Sequence, residues 1–322
     1  MPENIKILVI RFSSIGDIIL TTPVVRCLRS QLNAKIDFLT KAAYKQLLVS
    51  NPNINEVISL EQHKNDMLKV LRSKEYNFVI DLQSNFRSFK LRLMLGVKSY
   101  TFSKDTFKRY ILIYFGINLL KNHIVDRYFR AVSKLNVCND EKGLDYFLSN
   151  SMLIDFDVDQ DYICWCIGGA HKRKQLSSIQ VANVISQLEM PVLLLGSAEE
   201  KQLSVDIITN IKSNNVYDFC GETSIEESAY LIRNSKLVLT NDTGMMHIAS
   251  AFDTPIISFW GCTKPSLGFS PYMAAKKSKC IITSFSDAPC SKHGKYCKFQ
   301  SNGCIKEIKP KIIYEAVVRL IK

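Results

Sequence analysis

The amino-acid sequence predicts an α/β protein built from two Rossmann-like, doubly wound halves. Two series of short β-rich runs alternate with helical segments, and such alternation builds a parallel sheet with helices on both faces. A polar, irregular stretch at residues 139–159 separates the two series. The length of 322 residues exceeds what one core usually supports, so we place domains at residues 1–158 and 159–322.

The first half opens with an apolar run at residues 5–10, which is typical of a strand buried on both faces. Residues 11–17 then lead into a helix that Pro23 starts or kinks. Later strands are predicted at 35–40, 56–60 and 77–82, and helices at 18–32, 42–50 and 64–73. A basic segment supplies further helices near 86–95, 106–119 and 123–135.

The second half begins with a strand at 162–167 and a glycine-led basic loop at 168–174. Ser197 and Glu200 have the spacing of a capping box at the start of a helix. Strands are predicted at 162–167, 191–195, 216–219, 236–240 and 255–259, and helices at 177–188, 225–233 and 310–322. The last helix is amphipathic, and we allow for its packing back on the first domain.

The stretch 236–249 is the most informative part of the chain. Its apolar strand ends in the turn Asn241-Asp242-Thr243-Gly244, after which residues 245–249 start a helix. The unpaired N–H groups and the dipole at such a helix start favour a phosphate. The alternative is a capped helix with a half-buried histidine at His247.

The formal net charge of +12 implies an anionic partner, such as nucleic acid, anionic lipid or a phosphorylated substrate. The basic excess is concentrated at residues 86–130 among many aromatic residues, which favours contact with anions or a membrane surface. No apolar run approaches the roughly 20 residues of a membrane span, and the N-terminus lacks a signal-peptide pattern. The ten cysteines are scattered, as expected of small buried residues in a reducing cytoplasm.

Three loops are predicted to meet in one cleft between the halves, because ligands bind beyond the carboxyl ends of parallel strands. These loops are residues 13–17, 168–174 and 241–247. Lys174 can neutralise a phosphate, and Asp17 can take a proton from a hydroxyl unless it merely caps a helix. Neither a G-x-G-x-x-G after a first strand nor a G-x-x-x-x-G-K-[ST] loop occurs, which argues against nicotinamide enzymes and common ATPases.

The segments RFSSIGDIILTTP at 11–23 and NDTGMMHIA at 241–249 resemble glycosyltransferase family 9, the bacterial ADP-heptose:lipopolysaccharide heptosyltransferases. Residues 261–265 (GCTKP) and the cysteine-bearing tail also fit this family. The resemblance implies a GT-B fold, with an N-terminal acceptor domain facing a C-terminal nucleotide-sugar domain across a cleft. It also implies an inverting transfer of heptose from ADP-heptose to the inner core, Kdo or heptose, of lipopolysaccharide, with no cofactor and no catalytic metal.

The resemblance also implies roles for individual residues, with Asp17 as the general base. In the donor site, Lys174 and the backbone of Thr243 and Gly244 would bind the diphosphate. Asp242 and His247 would face the heptose, Glu199 or Glu200 would bind the ribose, and Thr223 would lie near the adenine. The full donor set is Lys174, Glu199, Glu200, Thr223, Asp242, Thr243, Gly244 and His247. The acceptor set is Ser13, Gly16, Arg87 and Arg92, the arginines as partners of an acidic sugar.

Some residues depart from the family pattern and leave the sugar and the acceptor position open. Gln-Leu-Ser follows Lys174 in place of the common aromatic-proline, and Lys264 stands where several members have an aspartate. The expected partners are an ADP-sugar, a lipid A–Kdo type acceptor and the inner face of the inner membrane, contacted peripherally by a cytoplasmic monomer, with no nucleic acid. Alternatives are a family member with another nucleotide-sugar donor for a cell-surface glycan, or a non-catalytic nucleotide-sugar or nucleic-acid binding protein.

The cysteines of the tail need a separate interpretation. Cys290, Cys297 and Cys304 are evenly spaced, with Cys280 and His293 nearby, and these residue types are zinc ligands. Their spacing lacks the C-x₂₋₄-C element of structural zinc sites. The sequence therefore assigns no metal site and leaves open whether these three cysteines bind one.

Overall fold

The computed structural model describes residues 5–62, 66–149, 154, 156–211 and 215–321. The chain forms two compact units, each with a parallel sheet between helices, which confirms the predicted α/β class. Unit 1 comprises Met1–Thr106 and Asn122–Ser149, and unit 2 comprises Phe107–Lys121 and Asn150–Lys322. The division near residue 150 precedes the predicted boundary at 158, and the segment Phe107–Lys121 groups with unit 2 instead of unit 1.

The strands and helices of the described residues follow the predicted alternation. The strands are β1 Lys6–Ile10, β2 Lys35–Thr40, β3 Glu56–Ser59, β4 Phe78–Asp81, β5 Ser99–Thr101, β6 Ile163–Cys166, β7 Val192–Leu195, β8 Val216–Asp218, β9 Leu237–Asn241, β10 Ile256–Trp260 and β11 Lys279–Ile282. The helices are α1 Ile15–Ile19, α2 Thr22–Leu32, α3 Met67–Ser73, α4 Phe86–Leu95, α5 Thr106–Phe115, α6 Ile124–Val132, α7 Ser178–Ile185, α8 Lys201–Thr209, α9 Ile225–Asn234, α10 Gly244–Ala251 and α11 Pro310–Ile321.

Unit 1 differs from the sequence prediction in several local details. The helix predicted at 18–32 is interrupted, because α1 ends at Ile19 and α2 starts at Thr22. Pro23 lies in the first turn of α2, where its missing N–H removes no helical hydrogen bond. The segment predicted as a helix at 42–50 is a 3₁₀-helix over Ala42–Leu47. Residues 63–65, which include the start of another predicted helix, lie outside the described residues.

Unit 2 contains the more continuous core. Strands β6, β7, β9 and β10 are buried at every position, as their apolar runs predict. The last helix, α11, packs Ile313, Ala316 and Val317 into this core. Helix α5 also belongs here, since Leu112 packs with Leu120 and Leu267.

Both sheets have a Rossmann-like strand order. It is β3-β2-β1-β4-β5 in unit 1 and β11-β10-β9-β6-β7-β8 in unit 2, with every pair parallel. The direction of winding reverses between β1 and β4 and between β6 and β9. Loops at the carboxyl ends of these strands are the usual ligand-binding positions of open parallel sheets. The loops after β1, β6 and β9 are those predicted from the sequence to bind the ligand, at residues 13–17, 168–174 and 241–247.

Candidate active-site residues

Asp17 lies in α1, just beyond the carboxyl end of β1, and forms an ion pair with Arg11. The distance from Arg11 Nη2 to Asp17 Oδ1 is 2.7 Å, and 27% of the Asp17 side chain is exposed. Its Oδ2 accepts hydrogen bonds from the backbone N–H and hydroxyl of Ser14, at 3.3 and 3.1 Å. Ser14 is the N-cap of α1 and Asp17 is its capping-box partner. Asp17 is therefore not the N-cap, although it does stabilise the helix start.

Arg11 is a buried cation whose orientation is fixed by several acceptors. Its Nη1 donates to the Leu82 carbonyl at 2.6 Å and to the Tyr128 hydroxyl at 3.0 Å. Its Nε donates to the Ser13 carbonyl at 2.9 Å. Because these contacts come from the ends of β1 and β4 and from α6, the sheet itself determines where the Asp17 carboxylate lies.

This environment keeps Asp17 ionised. Burial raises the pKa of the Asp17 carboxyl, but the charge of Arg11 and the hydrogen bonds from Ser14 outweigh it and lower the pKa below the usual value. The group is thus a carboxylate at neutral pH and is able to accept a proton.

Of the predicted acceptor residues, Ser13, Gly16 and Arg87 lie around the same end of the sheet. Ser13 and Gly16 flank the start of α1, and Gly16 is buried. Arg87 is exposed, and its guanidinium carbon lies 5.6 Å from the ring centre of Phe12. The Phe12 N–H donates to Gln83 Oε1 at 2.9 Å, so the segments after β1 and β4 are joined at this point.

Arg92 has an internal partner. Its Nε lies 2.9 Å from Oδ2 of Asp81, a fully buried carboxylate at the end of β4. Its Nη1 donates to the Ser99 hydroxyl at 3.1 Å. Removing Arg92 would leave a buried carboxylate without this cation, so the structure gives it a role in holding β4, β5 and α4 together. Arg87 is the exposed member of the predicted arginine pair.

In unit 2 the predicted donor loops meet at a lysine–aspartate pair. Lys174 Nζ lies 2.7 Å from Asp242 Oδ2, and the Thr263 hydroxyl donates to the same oxygen at 2.8 Å. Lys174 is 9% exposed. The Asn241 amide donates to the carbonyls of Ile167 and Gly168, both at 2.9 Å, and so joins the ends of β9 and β6.

The start of α10 lies beside this pair. Thr243 is the N-cap residue, with an extended backbone, and Gly244 begins the helix. Both are half-buried, so the first helical turn reaches the surface, where its N–H groups can bind an anion. His247 lies in the next turn and is 4% exposed, which makes it more deeply buried than the half-buried histidine considered from the sequence.

The two candidate glutamates differ in position. Glu200 is buried and accepts hydrogen bonds from Gln175 Nε2 at 3.2 Å and from the Ser197 N–H at 2.9 Å. A side chain at Gly168 would approach the Glu200 carboxyl carbon to 3.3 Å, so Glu200 borders the loop after β6. Glu199 is exposed. Thr223 lies between β8 and α9, and its hydroxyl is 2.8 Å from that of Ser228.

The loop after β6 has a positive electrostatic environment. The pKa of His171 is lowered by its partial burial and by the cations Lys295, Lys174 and Arg173. The same cations favour an anion at this end of the sheet.

Four cysteines converge close to the donor loops. The sulfur atoms of Cys262, Cys290, Cys297 and Cys304 all lie within 4.8 Å of one another. Cys280, which the sequence analysis names beside the tail cysteines, is not one of these four. It lies in β11, with its sulfur 3.2 Å from the Ser258 hydroxyl. The sequence analysis did not consider Cys262 as a possible metal ligand. Its position just after the buried strand β10 could have indicated it.

The described residues form two α/β units with parallel sheets, and the candidate side chains lie at the carboxyl ends of the strands. The sequence model of glycosyltransferase family 9 (heptosyltransferase) matches residues 65–300, and the chain belongs to this family. Among its relatives, lipopolysaccharide heptosyltransferase 2 of Salmonella typhimurium is 27% identical over 308 residues, which cover 84% of this chain and 86% of the relative.

Solved structures show the same fold. The glycosyl transferase family 9 protein of Veillonella parvula has a TM-score of 0.80 at 19% identity and covers 98% of this chain and 97% of its own. The ADP-heptose LPS heptosyltransferase II of E. coli has a TM-score of 0.76 at 23% identity, with 98% of each chain covered. The predicted class of fold, that of the GT-B heptosyltransferases, is thereby confirmed.

Proposed function

We propose that this chain transfers heptose from ADP-heptose to the inner core of lipopolysaccharide, at Kdo or heptose, with inversion at the anomeric carbon. The observation that carries the proposal is the ionised Asp17 carboxylate, which Arg11 and Ser14 orient at the carboxyl end of β1. Membership of the family supports the class of reaction. The names of the relative and of the E. coli structure, which specify lipopolysaccharide and ADP-heptose, support the substrates.

In the acceptor half of the proposed mechanism, Asp17 takes the proton of the attacking hydroxyl. That oxygen forms a bond to the anomeric carbon while the bond from this carbon to the ADP phosphate oxygen breaks. A carboxylate with a lowered pKa is a weak base, so proton transfer accompanies bond formation, when the hydroxyl has become acidic. Arg87 is the proposed partner of an acidic acceptor sugar, since a guanidinium pairs well with a carboxylate or phosphate.

In the donor half, the leaving ADP is stabilised by Lys174 and by the N–H groups of Thr243 and Gly244. In the structure Asp242 pairs with Lys174. When the donor binds, the Asp242 carboxylate would turn toward the heptose hydroxyls, which His247 would also contact. Glu200 is the proposed ribose ligand, because it borders the loop after β6. Thr223, between β8 and α9, is the proposed contact of the adenine. Lys174 and the N–H groups of Thr243 and Gly244 would stabilise the negative charge on the leaving ADP. We therefore propose that the transfer needs no catalytic metal.

We also propose that the protein contacts the membrane peripherally through exposed aromatic residues. In α4, Phe86 is 81% and Phe89 is 52% exposed, and in α5, Phe107 is 75% and Phe115 is 67% exposed. Exposed apolar side chains mixed with cations suit the interface of an anionic bilayer, where a lipid acceptor lies. No helix among the described residues is both long and apolar enough to cross a membrane.

The replacement Asp17→Asn tests the proposed function. Heptose transfer from ADP-heptose to a Kdo-bearing lipid acceptor should fall by about 10² to 10⁴-fold, because the general base is lost, while ADP binding stays unchanged. Other nucleotide-sugars, supplied in a panel to the wild-type protein, should support little transfer. The matched control is Asp126→Asn, which removes the capping-box carboxylate of α6 in the same unit. Turnover near the wild-type rate in Asp17→Asn would show that Asp17 is not the base.

A further inference from the structure

The four sulfur atoms near the donor loops are arranged at the spacing of metal ligands. Cys262 and Cys304 are separated by 3.6 Å, Cys290 and Cys304 by 3.7 Å, and Cys290 and Cys297 by 3.9 Å. Zinc–sulfur bonds of about 2.3 Å in a regular tetrahedron place sulfur atoms about 3.8 Å apart. These three separations therefore match edges of a tetrahedron around a single ion.

Other uses of four cysteines fit this spacing less well. A disulfide needs a sulfur–sulfur distance of about 2.05 Å, which is much shorter than any of these separations. A polynuclear iron–sulfur cluster attaches its thiolates to different iron atoms, so its ligands are spread by the width of the cluster. Here all four sulfurs lie within 4.8 Å of one another, which leaves room for one ion only.

The surroundings of the sulfurs are those of a closed site. Cys262, Cys290 and Cys304 are buried and Cys297 is partly buried. The backbone N–H groups of Gln300 and Phe299 point at the Cys297 sulfur, at 3.3 and 3.5 Å, as outer hydrogen bonds to a thiolate do.

A buried cation lies beside the cluster. Lys264, which is 2% exposed, donates to the Thr283 carbonyl at 3.1 Å. Four thiolates around a divalent ion carry a net charge of −2, and the ammonium offsets part of it.

Close backbone contacts bring the four residues together. Gly261, at the end of β10, lies so near Ile305 that a side chain at Gly261 would come within 2.6 Å of it. This contact places Cys262 next to Cys304. Between Cys290 and Gly303 the chain has turns but no regular helix or strand, so backbone hydrogen bonds alone constrain it little.

We propose that Cys262, Cys290, Cys297 and Cys304 bind one tetrahedral, thiophilic metal ion, zinc or iron, which holds the cysteine loop (residues 290–304) in place. With four protein ligands and no open position, the ion is structural rather than catalytic. Metal binding would supply the stability that this irregular loop lacks by itself.

The cysteine loop in turn packs on the proposed donor site. Arg173 donates to the carbonyls of Ser301 and Lys295, at 2.8 and 2.6 Å. A side chain at Gly294 would come within 2.6 Å of the Lys174 stem. On the other side of the cluster, Thr263 follows Cys262 and donates to Asp242. The ion thus fixes both members of the Lys174–Asp242 pair, and this part of the inference rests on the proposed donor-binding function.

Metal content of the untagged, full-length protein tests the site. We expect one zinc or one iron per chain by elemental analysis, with the element identifying the ion, and four sulfur ligands at about 2.3 Å by X-ray absorption. Cys290→Ser and Cys297→Ser should lose most of the metal. The matched controls Cys280→Ser and Cys138→Ser, both at exposed cysteines, should retain it.

ADP binding tests the consequence for the donor site. Removing the ion from the folded wild-type protein with a thiol-directed mercurial, followed by reduction, should weaken ADP binding by about 10-fold, and added zinc should restore it. This measurement does not depend on whether the serine variants fold.

Several results would overturn the metal site. These are absence of metal after reconstitution with zinc, several irons with labile sulfide, or a disulfide between any two of the four cysteines. Absence of metal together with intact heptose transfer would reject the site but not the proposed function. One bound ion without heptose transfer would reject the function but not the site.

Discussion

The side chain of Asp17 combines a structural role with the proposed chemical one. It closes the capping box of α1 and also presents an ionised carboxylate at the end of β1. Arg11 makes both roles possible, since its charge outweighs the effect of burial on the pKa of Asp17. The short segment between β1 and α1 therefore determines the protonation state of the proposed base.

The replacement Arg11→Gln should move the acid limb of the pH–rate profile upward. The wild-type pKa of Asp17 is lowered, so kcat/KM should stay constant from neutral pH through the range in which an ordinary aspartate becomes protonated. Without Arg11, burial dominates, the pKa of Asp17 rises and activity is lost at a higher pH. Measuring kcat/KM against pH for both proteins, with Arg29→Gln as the control, checks this. An unmoved acid limb in Arg11→Gln would contradict the assigned role of the ion pair.

The replacement Lys174→Met should weaken ADP binding by about 10 to 100-fold, the value of a lost charge-assisted contact. The unpaired Asp242 carboxylate would also repel the diphosphate. Titration calorimetry with ADP measures the change. Lys172→Met is a suitable control because Lys172 is an exposed lysine of the same 3₁₀ turn. Equal ADP affinity in Lys174→Met and Lys172→Met would show that Lys174 does not bind the donor.

At the scale of elements, burial decided which parts of the fold the sequence could predict. The central strands β1, β6 and β9 are apolar runs, and the candidate ligand-binding loops follow them directly. The sequence therefore predicted these strands and the positions of these loops together. Strands β5 and β11 are short edge strands with exposed residues, and they lack the buried apolar run that marks the central strands. The Arg92–Asp81 pair joins the end of β4 to the following helix α4, and hydrophobic periodicity does not predict such a polar contact. The approach of Cys262 to Cys304 joins segments that are far apart in the sequence, which local pattern cannot show.

Helix α2 is held to the irregular segment 139–149 by an arginine clamp. Arg26 donates to Asp140 at 2.8 and 2.7 Å and lies 2.5 Å from Asp145. The clamp lowers the pKa of Asp140 to about 2, from 3.8, with the hydrogen bond from Arg26 as the main cause. A carboxylate with a lowered folded-state pKa adds stability above the unfolded value, and that stability is lost as pH falls toward 2.

We therefore expect Asp140→Asn to reduce the free energy of unfolding by about 1–2 kcal/mol at pH 7. The difference from wild type should shrink as pH falls from about 4 to about 2, because the wild-type carboxylate is then protonated as well. Urea unfolding at several pH values measures it, and Glu141→Gln, at an exposed neighbour, serves as the control. A difference that stays constant with pH would show that packing rather than charge holds the clamp.

At the scale of the whole molecule, the charge of +12 and the exposed aromatic residues of α5 predict binding to anionic lipid. The protein should bind phosphatidylglycerol-containing vesicles and not purely zwitterionic ones, and added salt should weaken the binding. The double replacement Phe107→Ser and Phe115→Ser should reduce vesicle partitioning on the order of 10-fold, since each ring loses contact with the bilayer interface. Turnover of a water-soluble acceptor should stay unchanged in that variant. Ile179→Ser removes an apolar side chain that is 62% exposed on a different helix, α7, and should have no effect. If both variants partition like the wild type in a sedimentation assay, the aromatic residues of α5 do not contact the membrane.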